Sequence, residues 1–415
     1  MTWYLTAPAF RFYLWTILAV IMFPIIWALH AIVHALGWKP LWTTESCEQQ
    51  YKTVITQDDL DRMQSEYDIR CAALSIDSIA CTGDGGKFLG CAYLGNPNDT
   101  TWAAIKSLWG PDTFCRYPYV MEDENKEESN SSTDQMAGIL PSIYHRYKSV
   151  GLTEDELNHL RVIFDNICFK GRPMSIKHPY GMKVDRGYLW EWWNPLLFSD
   201  CNAGMLMLAM GKEFFPDDNR YSFAYSVLWF LYNRSFDCLN HNVCLRWPFG
   251  IKILETVGAV AMKWYVPHNR ALISAALYDI THDLRILKGL EGLTEDYPYN
   301  ADMLMLYVNA TGWEHSEQRD RLFGIVATMA EHAKGSYTEE AENKAEMKVF
   351  NALKLERVTY KQDELTAMET NIYHLWEKSR VKIEYGGNVF TDVDYILAAR
   401  YVLKYLQQHK EALYA

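Results

Sequence analysis

"QMAGILPSIYHRYKSVGLTEDELNHLRVIFDNIC" (135–168) reads as two helices joined by a short connector. Apolar residues recur at three- and four-residue steps in both halves, the spacing of one buried helix face. Between them, "KSVGLT" ends on Thr153, whose hydroxyl can cap the second helix. A helix pair of this kind is the unit from which the rest of the chain is built.

The same spacing continues in "DCNAGMLMLAMGKEFF" (200–215), "YSFAYSVLWFLYNRS" (221–235), "GIKILETVGAVAMKWY" (250–265) and "RALISAALYDITHDLRILKGL" (270–290). It returns in "NADMLMLYVNAT" (300–311), "SEQRDRLFGIVATMAEHA" (316–333), "ENKAEMKVFNALKLE" (342–356), "DELTAMETNIYHLWEKS" (363–379) and "DVDYILAARYVLKYLQQHKE" (392–411). No alternating run is long enough for a central sheet, and "RVKIEYGGNVF" (380–390) supports a single hairpin at most. The expected class is all-α. Long, aromatic-rich connections such as 95–119 and 171–196 favour an (α/α) toroid of roughly six helix pairs over a solenoid or bundle, because such loops can build the mouth of a cavity.

Ahead of this domain, no Asp, Glu, Lys or Arg occurs between Phe12 and Trp38. That run exceeds the ~20 residues a helix needs to cross a bilayer. Trp15, Trp38 and Trp42 stand near its ends, where interfacial aromatics are favoured. A cleaved signal peptide has a shorter apolar region ending in small residues, whereas this one ends "HALGWKPLW". The expectation is a membrane anchor over residues 1–42, with the transmembrane helix at about 12–38 and a single helical domain over 43–415. Arg11 weakly favours the N-terminus inside and the large domain in an extracellular or periplasmic space. His30 and His34 share a helix face, as interfacial residues or as a proton or metal site.

The formal net charge is −12, and no basic cluster tracks a phosphate backbone, which argues against nucleic-acid binding. Nine cysteines are too sparse for a disulfide scaffold. "CLNHNVC" (238–244) offers either a Cys238–Cys244 disulfide or three ligands without a fourth, so no metal and no cofactor is expected. The 15 Trp and 27 Tyr suit a large core, and they also suit a cleft that stacks on sugar rings.

Three segments combine acids with aromatics. "CTGDGGKFLG" (81–90) holds Asp84 in a glycine-rich break, where close backbone approach is possible. "LWGPDTFCRYPY" (108–119) offers Trp109 as a stacking surface and Arg116 as a cation. "SNSSTDQMAGIL" (129–140), after the acidic loop at 121–132, places Asp134 and Gln135 at a helix start. There Ser132 can cap and Gln135 can reach back from the third helical position, a structural role that needs no chemistry. Trp190 and Trp193 in "GYLWEWWNPLL" (187–197), and His268 and Asn269 at another helix start, complete the candidate substrate contacts.

"SSTDQMAG" (131–138) resembles the Ser-Arg-Asp-Gln motif of unsaturated glucuronyl hydrolases and related (α/α) toroid hydrolases. The resemblance implies that Asp134 opens an inner helix as general acid/base, with Asp84 as the second carboxylate. Thr133 stands where that family has Arg, which bears on a uronic-acid preference. The resulting expectation is a membrane-anchored glycoside hydrolase or lyase acting on a surface or envelope glycan. Its partners would be the carbohydrate, the bilayer, and a further copy of the chain or an envelope component. The competing expectation is a non-enzymatic envelope or virion assembly protein on the same scaffold.

Overall fold

A computed structural model describes residues 51–81, 85–119, 135–170, 174–177, 183–186, 201–237, 265–296, 300–314, 317–332, 382–383, 387–388 and 393–409. Its helices are α1 (Gln57–Ala73), α2 (Ile76–Ala80), α3 (Gly85–Gly95), α4 (Asp99–Ser107), α5 (Met136–Ser149) and α6 (Glu154–Asp165), the last running into a π-turn at Asn166–Lys170. They continue as α7 (Cys201–Phe214), α8 (Asn219–Asp237), α9 (Tyr265–Thr281), α10 (Leu284–Asp296), α11 (Ala301–Thr311), α12 (Glu317–His332) and α13 (Val393–Gln408). Two antiparallel hairpins pair β1 (Met174–Lys177) with β2 (Lys183–Arg186) and β3 (Lys382–Ile383) with β4 (Gly387–Asn388). The described chain is therefore all-α, as its spacing predicts. The second hairpin falls within 380–390, and the first lies inside a segment read from sequence only as a connection.

Local chemistry explains the helix starts. Thr153 caps α6 in a full capping box, with its hydroxyl on the Glu156 amide and the Glu156 carboxylate on the Thr153 amide. Thr56 and Asp59 do the same for α1. Asn98 and Asn300 cap α4 and α11 through their side-chain oxygens.

Six of these helices run side by side. α3 packs on α5, α5 on α7, α7 on α9, α9 on α11, α11 on α13, and α13 returns to α3; α5 also touches α9 directly. Side-chain contacts show the sense. Gly86 faces Gln135 near the starts of α3 and α5, while Tyr93 and His145 meet near their ends, with ring centroids 5.9 Å apart. The ends of α5, α7 and α9 share one cavity wall. Trp313, just after α11, stacks on Tyr405 near the end of α13 at 5.0 Å. α3 and α5 therefore run in the same sense, α5, α7 and α9 finish together, and α11 and α13 finish together, while Gly95 at the end of α3 meets Ile396 and Leu397 in the first turn of α13. α1, α4, α8, α10 and α12 pack on them from outside, and α12 also rests on α1.

The glycine-rich segment differs from its sequence reading. Gly85 and Gly86 belong to a helix, not a break, and all eleven residues of α3 are buried. Four glycines in one helix cost roughly 1 kcal/mol each in propensity. Here they permit backbone contact: a Cβ on Gly90 would stand 2.2 Å from the Gly138 carbonyl, and one on Gly85 2.6 Å from the Ile79 carbonyl oxygen. A helix buried on every side has no room for a polar face, which accounts for its apolar composition.

Residues 12–38, the acidic loop 121–132 and the helices expected over 342–356 and 363–379 lie outside the described residues, as does all of the one expected over 250–265 except Tyr265. Among the described residues no helix is long and apolar enough to cross a membrane.

Candidate functional site

Several helix starts carry polar side chains that a core would normally exclude. Lys87 in the first turn of α3, Gln135 before α5, Asn269 and Arg270 in α9, and Asn300 and Asp302 at the start of α11 are all buried. Helix-start amides and buried polar groups each need partners, and a polar side chain in the first turn can supply one. Asn300 Oδ1 accepts from the Met303 amide at 3.0 Å. Lys87 Nζ also lies 5.3 Å from the centre of the Phe88 ring.

The expected capping box at 132–135 takes a different form. The first helical residue is Met136, so Gln135 stands in the preceding position and not at the third helical one, and its side chain makes no capping hydrogen bond. The reason is tertiary. A Cβ on Gly86 would meet Gln135 Cβ at 3.1 Å, so the Gln135 side chain leaves its Cα against the glycine face of α3. Ser132 lies outside the described residues.

Asp84, Asp134, Trp190 and Trp193 also lie outside them. The residues that follow the two aspartates do not: Gly85 opens α3, Gln135 precedes α5, and Gln135 packs on Gly86. His268 falls in the first turn of α9, beside the buried Asn269.

Trp109 and Arg116 are placed elsewhere by a tight turn. Trp109 bridges Phe114, Gly110 N–H donates to Thr113 O at 2.9 Å, and Cys115 N–H donates to Leu108 O at 2.7 Å. His159 of α6 holds the turn through its Nε2, 2.7 Å from Gly110 O. The Trp109 ring is buried, with Trp102 and His159 against it in edge-to-face contact at 5.6 and 5.7 Å. In this arrangement its faces are used for packing between α4 and α6. Arg116 is half-buried.

Where α5, α7 and α9 finish, a cavity of about 530 Å³ opens. Tyr144, Glu213, Asp279 and Lys212 border it, with Tyr225 and Trp229 of α8. Burial raises the pKa of the Tyr144 phenol, and the charges of Glu213 and Asp279 raise it further. The phenol therefore stays protonated and remains a hydrogen-bond donor beside Glu213. Next to it, burial, with the cations Arg400 and Lys404, lowers His145 to about 4, so that imidazole is neutral at ordinary pH.

Sequence reasoning missed this cavity and Lys87. Tyr144, Glu213 and Asp279 come from three helices far apart in the chain, and no local motif links them. Lys87 was within a segment singled out for its aspartate and glycines. Among the described residues no cluster of three or more His, Cys, Asp or Glu could hold a metal ion, and "CLNHNVC" lies outside them.

No family model matches this chain, and no curated protein or solved structure matches it either.

Proposed function

We propose that the chain is a membrane-tethered carbohydrate-active enzyme, glycoside hydrolase- or lyase-like, built on an (α/α) toroid. Asp134 is its general acid/base and Asp84 its carboxylate partner. One observation carries this reading: Gln135, the residue after Asp134, packs on Gly86, two residues after Asp84. The residues that follow the two aspartates in sequence are described: Gly85 opens α3, and Gln135 precedes α5, which packs on α3. The closed succession α3, α5, α7, α9, α11, α13, each packed on the next, supports the toroid.

The chemistry needs one carboxylic acid to protonate the leaving oxygen and one carboxylate to activate water or stabilise the developing cation. A separation of roughly 5–10 Å suits those roles. Gln135, His268, Asn269 and Arg116 contact the substrate in this reading, and Trp190 and Trp193 stack on its rings. A stacking role for Trp109 requires its ring to leave Trp102 and His159. The anchor over residues 12–38 keeps the domain at the membrane surface.

Thr133, in place of the family's Arg, favours the alternative of a non-enzymatic envelope or virion component. The detergent-solubilised full chain, incubated with a panel of surface glycans, separates the two. Product released by the wild type and lost in both Asp134→Asn and Asp84→Asn supports the enzyme. Undiminished turnover in either variant overturns the proposed pair, and no product from any glycan leaves the assembly role.

A further inference from the structure

The cavity where α5, α7 and α9 finish has no part in the proposed acid/base site, and its lining is specific enough to name a ligand class. Its wall is aromatic. Tyr225 and Trp229 stand one helical turn apart on α8, with ring planes within 8° of parallel and centroids 6.1 Å apart. Acceptors and donors both border it: Glu213 and Asp279 on one hand, Lys212 and the Tyr144 phenol on the other. The volume of about 530 Å³ falls in the range of small-molecule pockets and exceeds what one sugar ring fills.

Charge narrows the choice. An anionic ligand would meet the Glu213 and Asp279 carboxylates and the negative ends of α5, α7 and α9. A cationic ligand would meet the Lys148 and Lys212 ammonium groups of the lining, and two of the three rings already carry a cation of the protein. The Arg285 guanidinium lies 4.6 Å over Trp229, and Lys148 Nζ lies 5.9 Å from the centre of the Tyr144 ring. Lys148 also pairs with Glu213 at 3.8 Å, and Arg285 with Asp283 at 2.8 Å. Those pairs leave Asp279 and Lys212, both exposed, as opposite charges facing one space with no salt bridge among the described residues. A neutral polyol satisfies both, because each hydroxyl donates to a carboxylate or accepts from an ammonium group. Its C–H face then lies against Tyr225, over which no cation stands among the described residues, beside Trp229.

We propose that this cavity is a carbohydrate-binding site for a neutral disaccharide unit, separate from the helix-start face and independent of Asp84 and Asp134. On a membrane-tethered protein such a site holds a glycan chain without cleaving it.

Saturation-transfer NMR on the detergent-solubilised full chain tests this with cellobiose, maltose, lactose and mannobiose. Glucuronate and putrescine serve as anionic and cationic probes. The expected result is saturation transfer to at least one neutral disaccharide, with affinity reduced about tenfold in Asp279→Ala and in Trp229→Phe. Asp279 is exposed, so its variant retains the fold, and an unchanged melting temperature checks this. Transfer to no neutral disaccharide overturns the proposal. So does transfer only to glucuronate or putrescine, or wild-type affinity in Asp279→Ala.

Discussion

Gly90 and Gly138 touch backbone to backbone: a Cβ on Gly90 would stand 2.2 Å from the Gly138 carbonyl carbon and oxygen. No side chain separates α3 from α5 at this crossing. Both neighbours are backbone, so neither can swing away as the end of a flexible side chain would.

Gly90→Ala and Gly138→Ala should each cost about 3 kcal/mol or prevent folding, since the added methyl group forces the helices apart. Chemical denaturation of the two variants checks this. Gly151→Ala is a useful contrast: its site is open, but its φ of +91° is unfavourable for alanine. That variant should lose only about 1 kcal/mol.

Thr153→Ala should lose about 1 kcal/mol, the value of a helix cap. Glu156→Ala should lose more. Its carboxylate also accepts from Trp102 Nε1 at 2.9 Å and pairs with Lys106 at 3.0 Å, so the variant leaves a buried indole N–H without an acceptor. Equal losses in the two variants would contradict this bracing of α4 by α6.

Stability should depend on pH through His145. Burial, then Arg400 and Lys404, lowers the imidazole to about 4 in the folded chain, against 6.5 when unfolded. Between those values the unfolded chain binds the extra proton, so stability is complete above about pH 6.5 and falls as pH drops towards 4, by up to about 3 kcal/mol. Carboxylates held below their usual range, among them Asp59, Asp218 and Asp283, lose their contribution at lower pH still. Thermal melts from pH 8 to 4 should show the slope, and His145→Gln should flatten it. An unchanged slope in that variant would remove His145 as the cause.

For the proposed enzyme, Asp134→Asn and Asp84→Asn should each lower turnover by about 10²–10⁴-fold while the melting temperature stays within a few degrees. A loss of turnover that tracks unfolding would assign these positions a structural role.

Several features were legible in local sequence because their causes are local. The helical spacing of 136–149 and 154–165, the Thr153 cap and the short hairpin near 382–388 depend on residues within a few positions of one another. The all-α class follows from the same spacing. The nature of α3 did not, because glycine is a poor helix former in isolation and only the Gly138 backbone across the crossing makes its absent side chain useful. Gln135 likewise had a sound local role as a capping residue, and the glycine face of α3 gave it a different one. Trp109 carried the composition of a sugar platform until the turn at Gly110–Thr113 folded it against Trp102 and His159. The cavity at the helix ends draws Tyr144, Glu213, Trp229 and Asp279 from four helices. Short-range propensity and periodicity thus determined which segments are helical, whereas which helices meet, and so which polar residues share a site, was decided by packing across long sequence separations.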